Sequence, residues 1–250
     1  MQLAHATWPE VEAYLAKDTT RGIIIPIGAT EQHGPNGLIG TDHLCAEFVA
    51  KGVGEVCNAY VAPTLTYGMS QHHLGFTGSV TLRPSTMAAM VRDIVQSLNV
   101  HGFEKFFFLN GHGGNVTPLK AAFDEIYADA SLGANPAAFK TRCMTMMWQA
   151  GGRTRALAQE LYHGNSGMHA TAAEISLVQF YRPDDIKHVE MSPKVAPPHT
   201  DFFHSLDYRM RYPDGRIGSD PSMSCPEHGE RLLKATVTDL SEAYQAFLAY

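Results

Sequence analysis

A chain of 250 residues with 44% hydrophobic and 18% charged side chains has ordinary globular composition and can bury a sizeable core. The formal net charge of -6, with no Lys/Arg run, excludes a nucleic-acid surface, and no apolar stretch reaches membrane-spanning length. Cys45, Cys57, Cys143 and Cys225 are widely spaced and form no CxxC, which excludes a finger-type zinc site and argues against a disulfide framework. With no basic region followed by an apolar run near Met1, the expected location is cytoplasmic and the expected partner a small molecule.

Thr7-Trp8-Pro9-Glu10 reads as a capping box that starts a helix running to about Lys17. Residues 22–27, Gly-Ile-Ile-Ile-Pro-Ile, form a β-branched apolar run suited to a strand buried on both faces. Helical spacing follows over 42–58, then a short strand over 59–63. Ser85 is expected to cap a helix that places Met87, Met90, Val91, Ile94, Val95 and Leu98 on one face. Lys105-Phe-Phe-Phe-Leu109 reads as another buried strand, ending in Asn110-Gly-His-Gly-Gly-Asn115. The next helix turns Leu119, Ala122, Phe123, Ile126 and Tyr127 inward. A strand is expected over 139–148, a helix over 170–181 and a last helix over 227–249. Residues 183–225, rich in Pro, His and Asp and without periodicity, are either an active-site cover or an oligomer contact.

This alternation predicts an α/β fold: a single domain over 1–250 with a mostly parallel sheet and helices on both faces. Ligands of such sheets bind outside the carboxyl ends of the strands, which singles out the loops 28–43 and 110–115. In the first loop, Glu31 and His33 are one residue apart, so an extended backbone aims both the same way. Gly34, Pro35, Gly37 and Gly40 permit a turn that returns Asp42 towards them. Carboxylates with imidazole are the usual ligands of Zn, Mn or Fe in hydrolytic sites, and an Asp can bridge two cations. The second loop delivers His112 between glycines, and the amides of Gly113 and Gly114 can bind a developing oxyanion. His169, just before the helix that carries Glu174, suits a proton shuttle to a leaving nitrogen. Glu174 is a candidate ligand and catalytic carboxylate, because a carboxylate buried without a cation is expensive. The plainer readings are a buried salt bridge for Glu174 and a helix cap for His169. His72 and His73 are adjacent, so in an extended chain they point apart and at most one faces the site. Ser70, in Gly68-Met-Ser-Gln-His72, is not a G-x-S-x-G elbow, which disfavours a serine hydrolase.

The strings Glu31-Gln-His33-Gly-Pro, Gly40-Thr-Asp42, Asn110-Gly-His112-Gly-Gly-Asn115 and His169…Glu174 resemble the creatininase (creatinine amidohydrolase) family. The resemblance runs from about Gly22 to Tyr181 and again through Gly229-Glu-Arg-Leu-Leu233. It implies a creatininase-like three-layer fold, divalent metal ions (two per chain, Zn, Mn or Fe) and a homo-oligomer, often a hexamer. By position, it implies that Glu31, Asp42 and His112 hold one ion, and that His33 and the bridging Asp42 belong to the other. It also implies that His169 is the catalytic histidine and Ser70 a substrate contact. Two departures stand out. Creatininase has a Glu ligand where this chain has Gly114, which leaves Glu174 as a replacement or the second ion weakly held. Creatininase also stacks its flat substrate on a tryptophan where this chain has Asn165, which argues against creatinine. Other branches act on formamides, peptides and a cyclitol ring with metal-activated water.

The expected function is therefore metal-dependent hydrolysis of a C–N amide bond in a cyclic amide, formamide or similar small substrate. The alternatives are a non-catalytic metal store or sensor, and a hydrolase of another C–N or C–C bond such as a cyclitol ring. A dinuclear phosphoesterase would need Arg or Lys at the rim, and the motif loops hold none.

Overall fold

Side chains alternate between the two sides of a strand, and in this chain that period of two sorts the core. The computed structural model describes residues 1–17, 20–133 and 139–250. Strand β1 (Gly22–Ile27) sends Ile23, Ile25 and Ile27 to one face and Ile24 to the other. Strand β3 (Lys105–Asn110) likewise divides Phe106 and Phe108 from Phe107 and Leu109. All of these side chains are shut off from solvent. With β2 (Tyr60–Val61) and β4 (Arg142–Met147) on the flanks, the sheet has the order β2-β1-β3-β4 and every pairing is parallel. One face is covered by α1 (Trp8–Lys17), α3 (Pro84–Val100) and α4 (Val116–Ser131). The other is covered by α2 (Thr41–Val56), α5 (Gly152–Tyr162), α6 (Ala172–Tyr181) and α8 (Pro226–Leu248). This is the three-layer α/β arrangement expected from the alternation of elements.

Helix α6 is buried along Ala172–Gln179, because it packs against both α2 and α8. A helix apolar nearly all round belongs inside, so the carboxyl group of Glu174 on it is conspicuous. Several boundaries differ from expectation for local reasons. Helix α3 starts at Pro84 with Arg83 in the cap position, not at Ser85; a proline at the first helical position is already set for the helix. Ala170 lies at φ 53 and cannot begin α6, whose cap is Thr171. At α1, Glu10 accepts from the Thr7 amide at 2.6 Å and from the Thr7 hydroxyl at 2.7 Å, so the hydroxyl is spent on the carboxylate rather than on the helix. Strand β4 spans 142–147 rather than 139–148, and β2 is two residues long. Helices α5 and α7 (Ser205–Arg211) are additions: α5 buries only Thr154 and Tyr162, α7 only Tyr208, too little apolar surface to write a pattern.

The four cysteines are free, and among the described residues no helix is long and apolar enough to cross a membrane. The segment 183–225 has its own small core, Tyr208, Tyr212 and Ile217, packed by Phe76 and Phe202. The fully buried Arg216 pins it: its guanidinium donates to Asp214 Oδ2 at 2.7 and 2.9 Å, to the Lys194 carbonyl at 2.8 Å and to the Pro193 carbonyl at 2.7 Å. Arg216→Met strands these acceptors and is expected to lower the local opening free energy by about 3 kcal/mol. Hydrogen exchange should then quicken across 193–217 while the β1 and β3 amides keep their protection.

Candidate metal centre

The carboxyl ends of β1 and β3 meet the start of α2, and a glycine makes the contact possible. A Cβ at Gly111 would lie 2.0 Å from the Asp42 carbonyl, so only glycine lets the strand end touch the first turn of α2, where Asp42 sits. After β1 the loop folds back on itself: the Glu31 amide donates to the Ile39 carbonyl at 2.9 Å and the Gly37 amide to the His33 carbonyl at 3.1 Å. That fold returns Asp42 to Glu31 and His33.

The result is a buried acid–imidazole cluster. Asp42 Oδ1 lies 3.0 Å from His33 Nε2, and Asp42 Oδ2 lies 3.0 Å from His112 Nδ1. Glu31 Oε1 lies 3.3 Å from His112 Nδ1, 3.2 Å from His73 Nε2 and 3.8 Å from His169 Nδ1. Despite this proximity both oxygens of Glu31 and Oδ2 of Asp42 make no hydrogen bond, and Glu31 is 0% exposed. Donor atoms this close but out of line with one another are arranged as ligands are around a shared ion. Ligand atoms of Glu31, Asp42 and His112 fall within 4.8 Å of one another, as do those of His33, Asp42 and Glu174, and those of Glu31, His33 and His169. The donor set fits divalent ions, with Asp42 common to two of these groups.

The electrostatics agree with that fit. Burial works against the charged form of Glu31, but the His112 and His73 rings outweigh it and hold its carboxyl well below the usual range. Burial alone would lower His33; Asp42 above all, then Glu174 and Glu31, raise it to about 10. His112 is raised well above the usual imidazole value by Glu31 and Asp42 against its burial. Burial, reinforced by Asp42, raises Glu174. Burial, together with His73 and His33, pushes His169 well below its usual value. Both shifts favour the protonated imidazole at His33 and His112.

The remaining sequence candidates fall into place individually. Glu174 closes a capping box on α6: its amide donates to Thr171 Oγ1 at 3.3 Å while its own Oε1 takes the Thr171 amide. It therefore takes part in no ion pair among the described residues, and the cap of α6 is Thr171, not His169. Ser70 is fully buried with an unpaired hydroxyl, beside Met69, whose carbonyl meets His112 Nε2 at 3.0 Å. Gly113 and Gly114 open the 3-10 turn before α4. A Cβ at Gly114 would lie 2.4 Å from His112 Nε2 and 2.6 Å from the Met69 carbonyl, so this backbone admits no side chain there. His72 and His73 do not point apart. Gln71–His73 is a 3-10 turn rather than an extended chain, and the two rings lie 4.2 Å apart. His73 reaches Glu31, and His72 stands 6.3 Å from the His112 ring.

Two residues escaped the sequence reading, and a third was only half seen. Gln32 was hidden between two candidate ligands of its own motif and Tyr208 in a segment without periodicity, while the extended-chain assumption left open which of His72 and His73 faces the site. Gln32 Nε2 lies 2.9 Å from His73 Nδ1 and 3.0 Å from the Gly215 carbonyl, and the Tyr208 ring packs 4.7 Å from His73. Residues 208–215 thus sit against Gln32 and His73, where a cover of the cluster would lie.

Fold and site define a class: an α/β protein with a buried acid–histidine cluster at the carboxyl ends of its parallel strands. The family model for creatininase, creatinine amidohydrolase, matches residues 4–244. The chain belongs to the creatininase family. It is 31% identical over 248 residues to creatinine amidohydrolase of Pseudomonas putida, a match covering 95% of this chain and 93% of that protein. It is 37% identical over 106 residues to the mycofactocin precursor peptide peptidase of Mycolicibacterium smegmatis, covering 40% of this chain and 42% of that one. A solved manganese form of creatininase superposes with a TM-score of 0.84 at 26% identity, over 98% of this chain and 97% of that one.

Two outcomes follow. Ligation needs neutral imidazole, so an ion must displace the protons on His33 and His112; affinity should rise with pH, and loading with Zn at pH 7 should release about two protons per chain. Calorimetry in buffers of different ionisation heat reads this, and uptake without release would contradict the protonated state of the two imidazoles. Gly114→Glu is expected to push His112 off its hydrogen bond and lower the metal content rather than add a ligand.

Proposed function

We propose that this chain is a divalent-metal-dependent amidohydrolase that cleaves a C–N bond in a small amide. The observation carrying the reading is the pair of oxygens on Asp42, each 3.0 Å from an imidazole of a different donor group. In this reading Glu31, Asp42 and His112 hold one ion, and His33, Asp42 and Glu174 hold the second. Glu174 stands in for the ligand that Gly114 cannot provide. When bound, such ions would lower the pKa of water to near neutrality and polarise a carbonyl oxygen. The protein's own groups do the rest. His169, held neutral by its surroundings, accepts a proton and returns it to the departing nitrogen. The Gly113 and Gly114 amides receive the developing oxyanion, and Ser70, with its unpaired hydroxyl, contacts the substrate. Tyr208 and the 208–215 cover limit water at the cluster.

Asn165 offers no flat apolar face at the position where creatininase presents a tryptophan, so the substrate class is formamides, cyclic amides other than creatinine and short peptides. The identity to the mycofactocin precursor peptide peptidase favours including peptides in that class. The expected assembly is a homo-oligomer, read by light scattering.

Elemental analysis of protein prepared without chelator is expected to give about two divalent ions per chain. Asp42→Asn should abolish binding of both, since it weakens the shared carboxylate. His169→Ala should keep the metal and lose about 10²–10⁴-fold in rate, the usual worth of a general acid–base group. An Asp42→Asn protein that retains its ions and turnover would sink the scheme.

A further inference from the structure

The hydrogen-bond arithmetic around Gln32 assigns more than the ligand set does. Gln32 Oε1 accepts from the Gly34 amide at 2.8 Å, which settles which end of the side-chain amide is nitrogen. That nitrogen has two hydrogens and several neighbours. The Gly215 carbonyl at 3.0 Å can only accept, so it takes one. His169 Nε2, at 2.9 Å, cannot take the other, because it lies 2.7 Å from the main-chain carbonyl of Gln32 and must itself donate there. The Tyr208 hydroxyl, which donates to the Gly215 carbonyl at 2.8 Å, can also accept, but at 3.5 Å it is a far longer partner than His73 Nδ1 at 2.9 Å. The second hydrogen therefore goes to His73 Nδ1 at 2.9 Å.

Two tautomers follow. His73 accepts at Nδ1 and so carries its proton on Nε2, the nitrogen that faces Glu31 Oε1 at 3.2 Å. A nitrogen bearing hydrogen has no lone pair for an ion, which bars His73 from the ligand set although it stands as close to Glu31 as His112 does. His169 carries its proton on Nε2 and leaves Nδ1 bare, 3.8 Å from Glu31 Oε1.

We infer that Gln32 and His73 are positioning residues that fix the tautomer of His169, so that its Nδ1 is the nitrogen that takes and returns the proton. The inference rests on the hydrolase reading for the meaning of that proton, but the tautomers themselves do not depend on it. The arrangement is a two-step lock. The Gln32 carbonyl holds the Nε2–H of His169, and His73 absorbs the amide hydrogen that would otherwise compete for the same nitrogen. The rings of His73 and His169 stack at 4.4 Å with 28° between planes, which keeps the three groups in register. Gln32 also joins the cover to the site through the Gly215 carbonyl.

Nitrogen-15 NMR of histidine-labelled, zinc-loaded protein reads the tautomers directly, with His73→Gln and His169→Gln used to assign the signals. Both residues are expected as pure Nε2–H forms with a bare Nδ1. In His73→Phe, which keeps an aromatic ring and removes the acceptor, the freed amide hydrogen should turn to His169 Nε2. The His169 signals should then lose their single-tautomer pattern while zinc content per chain stays unchanged. A proton on Nδ1 of His169 in the wild-type protein would overturn the inference. So would His73→Phe with lower zinc content, since His73 would then be a ligand. Failure of the hydrolase reading looks different: no zinc uptake by the wild-type protein, with the same tautomers seen in its zinc-free spectra.

Discussion

Glu31, Asp42 and Glu174, almost completely shielded from water, lie at one end of the sheet, and the rest of the molecule is arranged around that cost. Carboxylates in such a place are costly unless a positive charge answers them. His33 and His112, both raised above the usual imidazole value, answer them, and in the proposed site the same imidazoles would exchange protons for a cation. The parallel sheet makes this feasible because both central strands end at the same rim, one delivering the Glu31–His33 loop and the other His112. The glycine at 111 then lets the start of α2 close the third side with Asp42.

The fold was largely legible because its layers follow from chain-local patterns. The isoleucines of β1 and the phenylalanines of β3 announce a doubly buried strand without reference to anything distant. Helices α5 and α7 were not legible for the converse reason: each buries one or two residues, and their positions depend on partners far along the chain. Asp239 illustrates this, since it accepts from the Thr154 amide at 2.9 Å and secures the start of α5 from α8.

The site divides the same way. Residues of the proposed ligand set are distinctive by type and spacing, so Glu31, His33, Asp42 and His112 stood out. Residues that orient others are recognisable only by what they touch. Gln32 is a plain amide in sequence, and its importance comes from lying between His73, His169 and Gly215. The misjudgement of His72 and His73 has a similar origin, because two adjacent residues point apart or together according to a turn type that their identities do not determine. The departures from creatininase itself are local, at Gly114 and Asn165.

Glu174 carries a consequence of its own. One of its oxygens is committed to the Thr171 amide at the start of α6, while the carboxyl group offers a donor atom within 4.8 Å of those of His33 and Asp42. A carboxylate tethered in this manner cannot swing to embrace an ion with both oxygens without unravelling the first turn of a buried helix. Ions content with few, well-directed ligands suit such a group. Calcium, which favours six to eight oxygens and often takes a carboxylate in bidentate fashion, does not. If Glu174 is a ligand as proposed, the helix cap would double as a filter on the size and coordination habit of the cation.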